Sequence, residues 1–175
     1  MKLKNTLTEY GTISKIFHWI SAAVLIIQIP LGMYLVDMDF SEERLTIENI
    51  HVAVGISIFY LTILRLIYKT FNPTPNLNNS IFPGQRIIAK LNHVFLYISI
   101  LIITISGALK KLYNGEELNM FFFNLEIQDN FDLAEIFYEI HILSNYTLIA
   151  LISLHISAVI IHKILFKENL LKKIL

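Results

Sequence analysis

The chain has 175 residues, 55% of them hydrophobic, with no cysteine and fourteen basic against fourteen acidic side chains. A mean hydropathy of +0.59, with the apolar residues gathered in long runs, indicates a membrane protein of one domain (1–175). Zero net charge excludes the basic footprint that nucleic acid requires, and the lack of cysteine excludes disulfides, thiolate metal sites, cysteine-bound iron–sulfur clusters and c-type haem attachment.

The first predicted span covers 12–36 and follows Lys2, Lys4 and Lys15, with Glu9 the one acid among them. Its apolar stretch is too long for the h-region of a signal peptide, and no small-x-small cleavage site follows. It carries His18 before Trp19, then Pro30, Gly32 and Met33. Pro30 predicts a kink; Met33 is assigned to packing and Trp19 to an interfacial anchor. The loop 37–48 holds Asp37, Asp39, Glu42, Glu43 and Glu48 against Arg44. Span two, 47–69, carries His51, Gly55 and Arg65. The segment "NPTPNLNNSIFPG" (72–84) breaks helix and connects to span three, 88–110, which carries His93 and Gly107. Lys69, Arg86 and Lys90 flank this connection.

Seven acids occupy 110–139 against the adjacent Lys110 and Lys111, which stand about one turn beyond Gly107 and either form a candidate catalytic site for a small anion or simply snorkel to the headgroups. Within this loop "FFF" (121–123) suits part of a short helix lying on the membrane, though such a run is more often mere packing. Span four, 137–163, holds His141, His155 and His162, and a tail with Lys163, Lys167, Lys172 and Lys173 follows. The basic segments and both termini are therefore expected in the cytoplasm and the acidic loops outside, giving an all-α transmembrane four-helix bundle.

One interval recurs in all four spans. His18 and Gly32, His51 and Arg65, His93 and Gly107, and His141 and His155 are each fourteen residues apart. Fourteen residues return to nearly the same helix face about 21 Å along the axis. Because alternate spans run in opposite directions, an inner layer holds His18, Arg65, His93 and His155. An outer layer holds Gly32, His51, Gly107 and His141. A single intramembrane histidine is as often a helix-to-helix hydrogen bond, and glycines there are often packing. Two layers with at least two histidines each suit two bis-histidine haems, with Gly32, Gly55 and Gly107 letting a flat macrocycle approach. Arg65 suits the propionates of the inner one. Layering pairs His51 with His141; at the inner depth His155 has either His18 or His93 as its partner.

The stretches "ISKIFHWI" (13–20), "HVAVGISIFYLTILRLIYK" (51–69), "LNHVFLYISILIITISGALKKLYNG" (91–115) and "HISAVIIHKILFKENLLKKIL" (155–175) resemble the bacterial cytochrome b561 family of di-haem membrane cytochromes. That resemblance implies two haems b, with iron held by His18, His51, His141 and His155. It also implies a bacterial inner-membrane location and exchange of electrons with ubiquinone. The family includes quinone-linked superoxide oxidases, which makes superoxide the expected outer substrate. The "HW" pattern points to His18 as the partner of His155, leaving His93 for a propionate or quinone contact. His162, about 10 Å beyond His155, suits a quinone headgroup or simple snorkelling.

Two other readings use the same helices. One is a haem b anchor subunit for a partner dehydrogenase or hydrogenase. The other is a histidine-lined transporter without haem, against which stands the lack of cysteines and of carboxylates in the spans beyond Glu48 and Glu139 at their outer ends.

Overall fold

The structure, a computed structural model, describes residues 2–75, 84–167 and 169–175. It contains α1 (Thr12–Val36), α2 (Glu42–Thr70), α3 (Gln85–Tyr113), a two-stranded hairpin of β1 (Leu118–Asn119) and β2 (Asn124–Leu125), and α4 (Phe131–Leu165). A 3-10 turn at Leu170–Lys173 follows. All four α-helices are long and apolar enough to cross a membrane. The expected break at 72–84 lies largely outside the described residues.

α1 begins and ends where the apolar run does, and it continues through Pro30. The other three helices outrun their apolar windows. α2 starts at Glu42 because the Ser41 hydroxyl accepts the Arg44 N–H and two acids occupy the first turn. α4 starts at Phe131 because the Asn130 side chain accepts from Leu133 N. α3 runs on to Tyr113 and ends in a Schellman motif: Gly115 N–H donates to Leu112 O and Glu116 N–H to Lys111 O. Gly115 sits at φ 79, a conformation only glycine adopts cheaply.

The structure corrects the reading of "FFF" as part of a helix. Phe121, Phe122 and Phe123 form the turn of the hairpin, whose register pairs Leu118 with Leu125 and Asn119 with Asn124. The run is too short for a helix, and Phe121 takes a left-handed φ of 68, with its N–H held by Asn119 Oδ1.

The most extensive helix interface joins α3 to α4. At its middle lies a core of Ile58, Ile100 and Leu148, with Leu25, Val24 and Ile29 of α1 against it. Leu25, Ile58, Ile100 and Leu148 are the midpoints of the four fourteen-residue intervals, seven residues from each end. An apolar plug therefore separates the two polar layers by about 10 Å on either side. Hydroxyls in the spans fold back onto their own helices, as Ser21 does to Phe17 O and Thr104 to Ile100 O.

Leu148 is fully buried at the centre of this plug. Leu148→Ala is expected to lower stability by about 2–5 kcal/mol, read as an earlier midpoint in an SDS unfolding titration of the reconstituted protein.

Candidate functional site

At one level, His51 on α2 faces His141 on α4 with ring centroids 6.2 Å apart. His141 Nδ1–H donates to the Ile103 carbonyl at 2.8 Å. That bond fixes the tautomer and leaves Nε2 with its lone pair free for a metal. Gly107 is required by the histidine itself: a Cβ there would come within 2.9 Å of His141 Cε1 and Nδ1. Gly32 stands in the same relation to His51, with a Cβ 2.8 Å from Cε1. At Gly55 a Cβ would meet only Gln28 Nε2 at 3.8 Å, an ordinary contact.

Gln28 was not singled out in the sequence. It is buried, and its Nε2 donates to the His51 carbonyl at 2.8 Å. Its Oε1 and His51 Nδ1 are both buried without a hydrogen-bond partner among the described residues. Apart from Ser21, Gln28 is the one polar side chain deep in α1 between His18 and Gly32, and that was its signal.

At the other level, the His18 and His155 rings stand 6.3 Å apart and the His93 and His155 rings 5.2 Å. With metal–imidazole bonds of about 2.0–2.1 Å and about 1.1 Å from nitrogen to ring centre, imidazoles on opposite sides of one metal stand about 6.2 Å apart. The His18–His155 and His51–His141 spacings are of this size, and the His93–His155 spacing is shorter. The donor set, nitrogen without thiolate or carboxylate, suits haem iron.

Arg65 lies at the inner level as expected. Its guanidinium is 3.2 Å from His18 Nδ1 and lies over the Tyr97 ring, which Lys69 also caps. Beyond α1, Tyr10 belongs to the same group: burial, then the neighbouring Tyr97, pushes its phenol above the usual range. His93 is exposed on the surface of α3. His162 does not snorkel; it is buried, with Gln85 Nε2 3.1 Å from its Nε2 and Phe166 packed on the ring.

Lys110 and Lys111 end α3 above Gly107, but neither is an unopposed cation. Lys110 pairs with Glu48 at 3.2 Å, and the buried Lys111 pairs with Glu116. Burial pushes the Glu116 carboxyl up, and the hydrogen bonds from Lys111 and Asn114 outweigh it and hold the group below its ordinary range. The expected basic spot is thus neutralised by acids from α2 and from the hairpin base.

A family model described as prokaryotic cytochrome b561 matches residues 9–175. The chain is also similar to "Cytochrome b561 homolog 2" of Escherichia coli (strain K12), with 26% identity over 179 positions, covering 100% of this chain and 95% of that protein.

Gly107→Ala is expected to act like loss of His141: the ring must move, and haem absorbance at that level should fall several-fold in the purified protein. Gly32→Ala should do the same through His51. Full haem content in both variants would show that the rings have room to spare.

Proposed function

Because the chain belongs to the prokaryotic cytochrome b561 family and is thereby a membrane haem b cytochrome of electron transfer, we propose that it carries two haems b and acts as a quinone-linked oxidoreductase. The observation that carries this reading is the pair of equal ring spacings, 6.2 Å and 6.3 Å, at two depths of one bundle. Each haem would supply a one-electron carrier tuned by its axial ligands, burial and hydrogen bonds.

The residues divide the work as follows. His51 and His141 would hold the haem at the acidic-loop side. Ile103 O orients His141, Gln28 holds the His51 backbone carbonyl, and Gly32 and Gly107 make room for the two rings. Gly55, with no protein atom closely opposed, would face the macrocycle. His18 and His155 would hold the second haem, and Arg65 would neutralise a propionate there. The plug of Leu25, Ile58, Ile100 and Leu148 keeps the two levels apart and water out. By the charge of the loops, the Arg65 end faces the cytoplasm together with both termini.

Ubiquinone is the proposed partner at that end. His93 supports it as the headgroup contact, being exposed and beside His155, with Tyr97 and Lys69 nearby. His162 is a less accessible second candidate because its ring is buried against Gln85.

The opposite-face substrate is proposed to be superoxide. Lys110 and Lys111 are the cations that stand beside Gly107 at that end, and a small anion would have to draw them from Glu48 and Glu116.

A pyridine haemochrome assay is expected to return two haems b per chain; a value near one, or none, would overturn the reading. His18→Ala and His155→Ala should bleach one spectral component, and His51→Ala and His141→Ala the other. His93→Ala should keep both haems and slow reduction by a ubiquinol analogue about tenfold or more, a typical cost of losing a positioned proton-transfer group. Loss of the inner haem in His93→Ala with both haems kept in His18→Ala would reverse that assignment.

The double change Lys110→Gln, Lys111→Gln should slow haem reduction by superoxide with haem content unchanged. An unaltered rate would remove the lysines from the site.

A further inference from the structure

The segment between α3 and α4 is charged at its base and uncharged at its tip. Glu116, Glu117, Glu126 and Asp129 lie at the base, while "LNMFFFNL" (118–125) carries no charge. The base is closed by Asn130 N–H donating to Tyr113 O and by Tyr113 stacked on Phe137. From there the hairpin does not stand up from the bundle. Leu118 is 1% exposed and packs in a cluster with Ile56 and Leu112, with Val52 and Tyr60 of α2 beside it.

The depth of the tip follows from Tyr60. Its hydroxyl donates to Met120 O at 3.1 Å, and its ring lies 6.4 Å from Phe121 and 6.0 Å from Phe122. Tyr60 is twelve residues along α2 from Glu48, the partner of Lys110 at the end of the bundle, hence about 18 Å deeper along the axis. Its side chain leans back toward the helix N-terminus by several ångströms, which still leaves the tip about 10 Å or more inside a hydrocarbon core of about 30 Å. Nine residues separate Tyr60 from His51, so it points about 180° away from the histidine face. The hairpin therefore lies on the outer, lipid side of α2 and α3.

We infer that residues 118–125 form a re-entrant hairpin whose Phe121–Phe123 tip is immersed in the acyl chains of the leaflet on the acidic-loop side. Three hydrogen bonds satisfy backbone groups at the tip from within the protein. Hydrocarbon offers no hydrogen-bond partners, so non-helical backbone there must satisfy itself. Met120 N–H donates to Phe123 O, Met120 O accepts from Tyr60, and Phe121 N–H donates to Asn119 Oδ1. The three phenylalanine side chains are turned out, Phe122 84% exposed. In water that exposure is costly; among acyl chains it is not. Lipid is favoured over a protein partner because the tip continues the apolar surface of α2 at membrane depth.

The chain has no cysteine, so Phe122→Cys offers a single thiol for a nitroxide label. The labelled holoprotein is reconstituted in dioleoylphosphatidylcholine vesicles and its EPR power saturation is measured under nitrogen, under oxygen and with a water-soluble nickel chelate. Oxygen concentrates in hydrocarbon and the chelate in water, while the nitrogen reference cancels relaxation from the haems. The expected result is an oxygen effect several-fold above the nickel effect, as at the lipid-facing Leu64→Cys. Gln128→Cys, at the hairpin base, should show the reverse. A nickel effect above the oxygen effect at 122 would place the tip in water and overturn the inference. Small effects of both would mean that protein covers the tip, which overturns it equally. Phe123→Cys repeats the test where the first variant loses its haem spectrum.

Discussion

The rest of the molecule depends on a spacing of two helical turns. In each span a polar or minimal residue, an aliphatic residue and a second polar or minimal residue follow at intervals of seven: His18, Leu25, Gly32; His51, Ile58, Arg65; His93, Ile100, Gly107; His141, Leu148, His155. Seven residues lie within about 20° of two full turns, so all three positions share a face and differ only in depth. Four antiparallel helices with this pattern must build layer, plug, layer. The midpoints meet in one core, and a core packed at crystal-like density fixes the levels above and below it. The distance between the proposed haem sites is therefore a property of the aliphatic plug as much as of the ligands.

Small residues in this bundle answer to particular neighbours. Gly32 and Gly107 are opposed within 3 Å of where a Cβ would sit, in each case by the imidazole across the layer. This differs from generic close packing of small residues between membrane helices, where backbone meets backbone. Here a glycine on one helix is the counterpart of a histidine on another, and the partners form cross-pairs, α1 with α2 and α3 with α4. The layer is thus built by two histidine–glycine contacts that bring the two histidines to a metal-spanning separation.

Much of this was legible in the sequence because a bilayer simplifies it. Hydropathy locates the spans, and the fourteen-residue interval locates the layers. The same reasoning stopped at four places, each for a physical reason. Helix ends are set by capping side chains such as Ser41 and Asn130, which lie in polar loops where hydropathy carries no signal. The hairpin depends on the contact of Tyr60 with Met120, sixty residues away. The pairing of Lys110 with Glu48 and of Lys111 with Glu116 is likewise tertiary, and a count of loop charges cannot separate a paired lysine from an unopposed one. Gln28 was passed over because a lone amide in a span has several ordinary uses, and its bond to the His51 carbonyl is a tertiary contact.

The contact between Arg65 and His18 sets a condition on ligand binding at the inner level. A guanidinium can only donate, so in this geometry His18 Nδ1 accepts and the ring proton sits on Nε2. A metal at Nε2 needs the opposite tautomer, with the lone pair on Nε2 and the proton on Nδ1. The two arrangements exclude each other, so His18 can act as an axial ligand only once Arg65 releases it. Losing that hydrogen bond inside the membrane is costly unless the guanidinium finds another acceptor, and a carboxylate is the partner whose geometry and charge it matches best. Haem carries such groups as its propionates. Arg65 is thus placed to hold His18 Nδ1, and were haem bound at this level as proposed, a propionate would offer the guanidinium a second acceptor. His141, tied instead to the Ile103 carbonyl, has its tautomer fixed from the start and needs no such exchange. At the acidic-loop level, then, the protein itself sets the His141 tautomer, whereas at the Arg65 level the guanidinium sets that of His18.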